Sequence, residues 1–403
     1  MSRKLDDWLS AYLDYTENSE APAAYHTWTG ISVIAGALER KVYLQWGFNR
    51  IYPNEYIVLI GPSGQSRKGD AMGIGRKMIE TLSLVKMIGE DNSQESIIRQ
   101  MRGPLKTSKR TFTDENGQEQ VHCSVSCFCE ELAVFTGQQN TQMLAYLTNW
   151  YDSRDKWTRM TKHQGEDELH GVCFNLLAAT APDWLPHILT DEAIGGGFTS
   201  RVVFVVEEDK GKIIANPNAI EIDPTLWDNL AYDLELINSI VGPYTYDAEA
   251  QEAYEEWYEK EEQKIVQGKS DVNSPHLVGY RARRATQVHK LGMILSASRG
   301  QEQIICIADF DRAVALLKNV ERKMPRVYTG LGKAKYVQET ELIISYIKRH
   351  GEVRRSKLLA DLYRDIDNFT LEAITKVLND ARIITIEVLR DHKDVSYRYI
   401  AKG

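Results

Sequence analysis

Cysteine is scarce in this 403-residue chain. The five present, Cys123, Cys127, Cys129, Cys173 and Cys306, are an odd number without a C-x-x-C pair. That argues against a disulfide framework and suits a reducing compartment. Long apolar runs are missing too: none reaches the ~18 residues a membrane span needs, and the opening Met-Ser-Arg-Lys-Leu-Asp-Asp lacks the apolar stretch of a secretory leader. The expectation is a cytoplasmic protein with no membrane partner. Positive charge is in deficit, with 49 Lys and Arg against 57 Asp and Glu and a net charge of -8. A protein that coats nucleic acid over its whole surface is thereby excluded, and any basic site must be local. Repeats and low-complexity tracts are also lacking.

What is present is ordinary globular composition, 43% hydrophobic and 26% charged, at a length that allows two or three domains. His122, Cys123, Cys127 and Cys129 are zinc-ligand types. Positions 123, 125, 127 and 129 share one face of a strand, however, so these cysteines read better as small buried hydrophobes.

The most informative segment is Tyr56-Ile-Val-Leu-Ile60 followed by Gly61-Pro-Ser-Gly-Gln-Ser-Arg-Lys-Gly-Asp70 and a helix-like run. A buried strand, a glycine-containing turn with cations and a helix start make a phosphate-binding loop, in which backbone amides cradle phosphate and a cation neutralises it. In the G-x-x-x-x-G-K-[ST] spacing counted from Gly61, Ser66 takes the second glycine's place, Arg67 the lysine's and Lys68 the hydroxyl's. Alternatively Lys68 is the phosphate lysine and the loop is one residue longer, with Gly69 and Asp70 next. Gly61, Gly64, Ser66, Arg67, Lys68, Gly69 and Asp70 are therefore the expected nucleotide-binding set, for ATP with Mg2+. The plainer reading is a strand-turn-helix with surface charges.

Such a loop requires a second strand ending in acids, to hold magnesium and orient water. Val121 to Cys129 followed by Glu130 and Glu131 supplies it, with Glu130 toward the metal, where Asp is usual, and Glu131 activating water. The next apolar strand, Cys173 to Thr180, ends in a hydroxyl that can sense the terminal phosphate. Gly195-Gly-Gly-Phe-Thr-Ser-Arg201 then delivers Arg201 before another apolar strand. Arg201 is either an arginine finger for a neighbouring subunit or the partner of a structural carboxylate. Arg281, Arg283 and Arg284 are weaker candidates for a second cation. Asp152 to Gln164 interleaves basic residues with Trp157, as a strand-tracking pore loop or a surface hairpin.

Strand and helix patterns alternating from 56 to about 206 predict an α/β core with a largely parallel sheet. The expected divisions are an N-terminal helical segment at 1–50, a P-loop core at 51–240, a helical subdomain at 241–330 and a terminal module at 337–403. That module reads as three helices and a β-hairpin, a winged helix. From Leu331 onward Lys and Arg outnumber Asp and Glu by 14 to 11, so this segment carries +3 against -11 for the rest, a sign of asymmetry that favours a nucleic-acid role. The expected contacts are Arg354, Arg355 and Lys357, then Thr375, Lys376 and Asn379 on the third helix, and Arg390 and Lys393 at the wing. A protein-binding role is the alternative.

With these residues in view, the chain resembles the phage, prophage and plasmid replication P-loop ATPases, primase- or helicase-associated. The resemblance covers roughly residues 5 to 320. It rests on Trp8-Leu-Ser-Ala-Tyr12, Trp28-Thr-Gly-Ile-Ser32, Tyr52-Pro-Asn54, the loop with Arg67-Lys68, Asn175-Leu-Leu-Ala-Ala-Thr180 and Gly196-Gly-Phe-Thr-Ser-Arg201. It implies a RecA/AAA-like core in a hexamer-like ring. The implied activity is that of an ATP-dependent helicase or translocase acting on single-stranded or forked DNA, with replication proteins as partners, in a bacterial host's cytoplasm. In that family Arg67-Lys68 is an ordinary form of the loop. Asp70 stands where a hydroxyl often follows, which bears on magnesium geometry and hydrolysis. An ATP-switched initiator or helicase loader, and a scaffold that has lost hydrolysis, are the other expectations.

Overall fold

The apolar spacing near the amino terminus forms α1 (Trp8–Thr16), whose N-cap Asp7 side chain accepts from the Ser10 amide, and α2 (Ala23–Leu38) follows. In this computed structural model the described residues are 2–89, 92–102, 110–137, 140–161, 165–189, 197–220, 222–272, 274–328, 337–363, 366–388 and 394–400. They separate into two units, Met1–Leu331 and Gly332–Gly403.

The first unit is a mixed α/β fold. A hairpin, β1 (Val42–Trp46) and β2 (Asn49–Ile51), leads into β3 (Tyr56–Ile60), every residue of which is buried. After β3 come α3 (Lys68–Ile79), β4 (Met87–Ile88), α4 (Gln94–Arg102), β5 (Arg110–Thr113) and β6 (Glu119–Cys129). Then follow α5 (Leu132–Thr136), α6 (Thr141–Tyr151), the hairpin β7 (Lys156–Thr161) and β8 (Gly165–His170), β9 (Val172–Thr180), α7 (Leu185–Ile188) and β10 (Val202–Val206). The main sheet runs β10-β3-β9-β6-β4, all pairs parallel, with β5 antiparallel on β6.

A parallel sheet must be covered on both faces, and alternation along each strand does this. Ile57, Leu59, Phe128, Leu177, Ala179, Val203 and Val205 join one core with α1, α2 and α3. Tyr56, Val58, Ile60, Cys123, Val125, Cys127, Cys129, Phe174 and Phe204 join the other, with α4 and α6. The cysteines of β6 are thus packing residues. Among the described residues no group of three or more His, Cys, Asp or Glu is placed to hold a metal.

The remainder of this unit is α8 (Pro224–Asn238), β11 (Gly242–Tyr246), α9 (Ala248–Val266), α10 (Val278–Arg299), β12 (Ile304–Ile305) and α11 (Ile307–Glu321). A second sheet, β12-β11-β1-β2, joins strands about 200 residues apart, β1 running parallel to β11. The first core also draws on α8, α10 and α11. Residues of 1–50, 51–240 and 241–330 therefore share one hydrophobic interior.

The second unit holds α12 (Val337–His350), β13 (Glu352–Arg354), α13 (Arg355–Leu362), α14 (Asn368–Asp380), β14 (Ile384–Val388) and β15 (Val395–Tyr399). Its antiparallel sheet runs β13-β15-β14. Ile343, Ile347, Leu358, Leu371, Ile374, Leu378, Ile384 and Tyr397 form its core. Among the described residues no helix is long and apolar enough to cross a membrane.

Candidate functional site

Three strand ends lie level at the carboxyl edge of the main sheet. Ile60 of β3 pairs with Thr180 of β9, and Cys129 of β6 with Ala178 of β9, so β9 stands between the strand that enters the loop and the strand that ends in Glu130 and Glu131. The chain leaves β3 for the far edge at β4, returns through β6 and β9, then crosses to β10. The change of direction beside β3 is the kind of switch point where parallel sheets hold their ligands.

The loop is tightly built at its root. A Cβ on Gly61 would fall 2.3 Å from Ser66 Oγ, 2.4 Å from Glu207 O and 2.6 Å from Tyr25 Oη, so only glycine fits. The Tyr25 hydroxyl donates to Ile60 O at 2.7 Å, pinning the strand end from α2. Gly64 takes φ +71, where a side chain is disfavoured.

Arg67 also adopts left-handed geometry, φ 55 and ψ 36, immediately before α3. For a residue with a Cβ that costs on the order of 1 kcal/mol. It sends consecutive cations in opposite directions. Arg67 turns outward, its Nε donating to Glu20 Oε2 at 2.9 Å. Lys68 turns inward, its Nζ donating to Gly61 O at 2.5 Å and Pro62 O at 3.2 Å. Burial lowers the Lys68 ammonium below its ordinary value, and the Glu131 carboxylate opposes that shift. Of the two cations left open by spacing alone, Lys68 is the one folded over the loop.

The acids divide by position. Glu131 Oε1 accepts from Thr180 Oγ1 at 3.0 Å, joining the ends of β6 and β9. Glu130 is exposed and faces the first turn of α3, where a Cβ on Gly69 would lie 3.6 Å from its Oε2. Asp70 points into solvent, its side chain 63% exposed and 4.0 Å from Arg67. A magnesium ion often takes only one or two carboxylates, completing its shell with phosphate oxygens and water. Glu130 beside the helix start fits that role, whereas the Asp70 side chain faces away from the loop interior.

Arg201 is elsewhere. It precedes Val202, which pairs with Tyr56 at the amino end of β3, so a five-residue strand, roughly 17 Å at the usual rise, separates it from the loop of its own chain. It is also only 6% exposed. Its guanidinium grips Asp152 with Nη2 at 2.8 Å and Nε at 3.2 Å, and Nη1 donates to Gly197 O at 2.9 Å. Arg283, at 3.5 Å, shares Asp152 and is one-third exposed. Arg284 is buried between Glu261 and Glu321. Trp157 packs in β7 against Trp150 and Tyr146, so the described part of that stretch, 152–161, enters the antiparallel β7–β8 pair with its aromatic committed to the core; residues 162–164 lie outside the described residues.

In the second unit the expected contacts also divide. Arg354, Lys357 and Lys376 are exposed. Arg355 pairs with Glu372 and donates to Asn368 Oδ1 at 2.6 Å. Thr375 is buried, donating to Leu371 O at 2.7 Å, and Asn379 accepts from the Ile386 amide at 3.2 Å. Thr375 therefore serves packing rather than an exterior surface, whereas Asn379 is partly exposed. Arg390 and Lys393 lie outside the described residues. The exposed side of α14 carries Phe369, Glu372, Lys376, Val377 and Asp380.

Sequence reasoning missed Tyr25, which braces the loop from α2, and Asp152, which holds Arg201. Neither carries a local signal, because each acts across elements distant in the chain. Compared with models of known protein families and with curated proteins, the chain matches none.

Proposed function

We propose that the first unit is a P-loop NTPase core of RecA/AAA-like type that binds and hydrolyses ATP with Mg2+. The observation that carries this reading is the convergence of Lys68, Glu130 and the Thr180–Glu131 pair at the level ends of β3, β6 and β9. In it, Lys68 and the amides of the first α3 turn hold the β- and γ-phosphates. Glu130 holds the magnesium, which when bound neutralises charge developing on the phosphates. Glu131, positioned by Thr180, orients the attacking water.

The whole chain is then an ATP-driven helicase or translocase of mobile-element DNA replication, working as a ring. Arg201 lies at the opposite end of the sheet from its own loop, so it could serve only a neighbour's site. Its bidentate hold on Asp152 favours a structural role.

The terminal unit, with helices, strand and paired wing strands in winged-helix order, completes the reading. One observation favours protein docking over DNA binding for it: the outer side of α14 presents two exposed apolar residues, Phe369 and Val377, and two acids for one lysine. A switch-like initiator or loader accommodates that unit as well as a motor does.

The deciding experiment is ATP hydrolysis by wild type, Lys68→Ala and Glu131→Gln, with and without single-stranded DNA. Turnover stimulated by DNA and abolished in both variants is the expected outcome. Turnover at the level of the variants, with nucleotide still bound, would remove the motor and leave the switch or the scaffold.

A further inference from the structure

At the amino end of the main sheet, away from the loop, lies an open cavity of about 830 Å3. Its walls include Trp46, Phe48 and Arg50 of the β1–β2 hairpin, Arg154, and Arg283 of α10, with Lys290 at its floor. Lys290 is buried, its Nζ donating to Asn54 O at 2.6 Å and Asn54 Oδ1 at 2.8 Å. In a unit that is acidic overall, this wall is cationic. The two acids that line it are already engaged, Asp152 by Arg201 and Arg283, and Asp155 by Arg40. Arg50 and Arg154 are exposed and form no ion pair among the described residues.

Phe48 gives the surface its second character. Trp46 pairs with Asn49, so Gly47 and Phe48 make a two-residue turn, with Gly47 at φ 57 as such hairpin turns require. The turn holds the Phe48 ring entirely in solvent, at 106% relative exposure, while Trp46 is half-buried behind it. A single exposed apolar side chain is unremarkable on its own. Here it stands on a two-residue turn at the rim of a cavity whose arginines include two without an ion pair among the described residues, Arg154 and Arg50, the latter lying 4.2 Å over the Tyr43 ring and within the electrostatic reach of Asp114. Cations that follow a phosphate backbone, beside an aromatic on which a base stacks, are the combination that binds single strands without regard to sequence. A duplex offers no free base face to Phe48.

We propose that this hairpin-edged cavity binds a single-stranded nucleic acid, its phosphates on Arg50, Arg154 and Arg283 and a base stacked on Phe48. The choice of ligand class rests on the nucleic-acid side of the function proposed above, whereas the surface itself includes no residue of the phosphate loop.

The test is fluorescence anisotropy of the full chain with a labelled thymidine oligonucleotide about 20 nucleotides long and with a duplex of equal length, without ATP. Phe48→Ala should weaken single-strand binding roughly 5- to 150-fold, the range of one base–aromatic stack. The double change Arg50→Ala with Arg154→Ala should reduce the logarithmic salt slope by about 1.4, or ~0.7 for each phosphate no longer neutralised. Lys260→Ala, on the exposed side of α9, should leave both values unchanged. All these side chains are exposed, so unaltered thermal melts check folding. Single-strand affinity and salt slope equal to wild type in both cavity variants would overturn the proposal. A wild-type chain that binds no oligonucleotide overturns it too and points to a protein ligand. ATP turnover without nucleic acid, measured on Phe48→Ala and wild type, reads the loop separately, so failure of one reading is distinguishable from failure of the other.

Discussion

At residue scale, two neighbouring cations of the loop point in opposite directions. The left-handed backbone at Arg67 places its side chain on Glu20, while Lys68 folds back over Gly61 and Pro62. Arg67→Ala is therefore expected to keep ATP turnover within about threefold of wild type, whereas Lys68→Ala should lower it by about 100-fold or more, the scale of losing one charged group aimed at developing negative charge. Steady-state hydrolysis at saturating ATP checks this. The reverse ranking would mean that the loop rearranges when nucleotide binds. The spacing of the motif left Arg67 and Lys68 as equal candidates because a count of residues says nothing about φ. The positive φ of Arg67 accompanies side chains turned to opposite sides, Arg67 to Glu20 and Lys68 to Gly61.

At the scale of elements, the Arg201–Asp152 pair ties the start of β10 to the end of α6, with Arg283 of α10 as third member. Removing Arg201 leaves Asp152 partly buried with one weaker partner. Breaking such a pair costs about 3–5 kcal/mol when fully buried, and the one-third exposure of Asp152 lowers this to roughly 2 kcal/mol. Arg201→Ala should accordingly shift the urea midpoint downward, and Asp152→Ala should do the same. Lost turnover at unchanged midpoint would instead identify Arg201 as a neighbour's finger. Several segments that carry the family resemblance also act between elements. The Trp8 indole donates to Leu230 O at 2.8 Å, Asn175 Nδ2 donates to Ser32 O at 3.0 Å, and Asn54 Nδ2 reaches both Tyr151 O and Phe174 O at 3.1 Å. These residues specify packing, so their presence in the sequence indicates architecture more directly than chemistry.

For the whole molecule, buried titratable groups set the response to pH. Burial holds His26 down to about 4, and His122 and His289 down to about 3. A histidine whose folded value lies below its unfolded one binds fewer protons in the folded state, so stability is lost as pH falls below about 6.5 toward those values. Glu55 acts in the opposite sense: burial pushes its carboxyl up to about 8, against the pull of Lys290. The folded state then holds a proton that the unfolded state releases, and this group loses stability as pH rises from the ordinary carboxyl range toward 8. Three histidines outweigh one carboxyl between pH 6.5 and 5, each contributing at most ~1.4 kcal/mol per pH unit. The urea midpoint of the full chain should thus be lower at pH 5 than at pH 7, and a higher midpoint at pH 5 would contradict this account. Glu55→Gln should steepen the loss on acidification by removing the group that opposes it.

The amino-acid order alone determined the alternating α/β character, the parallel sheet and the strand–loop–helix at Tyr56 to Ile79. These are local: an unbroken apolar run, a glycine turn and a 3.6-residue period each act within a few neighbours. Tertiary structure decided which strands adjoin, placing β9 between β3 and β6 and thereby bringing Thr180 onto Glu131. It also joined β1 to β11 in one sheet, buried Thr375, and moved Arg201 to the far end of the strands from Lys68. Short runs such as Glu352–Arg354 and Asn49–Ile51 carry too little period to announce a strand, and they become strands only because a partner's backbone groups are there to pair with them. Such outcomes depend on contacts between residues far apart in the chain, whose free energies are settled by mutual burial and hydrogen bonding once the elements meet.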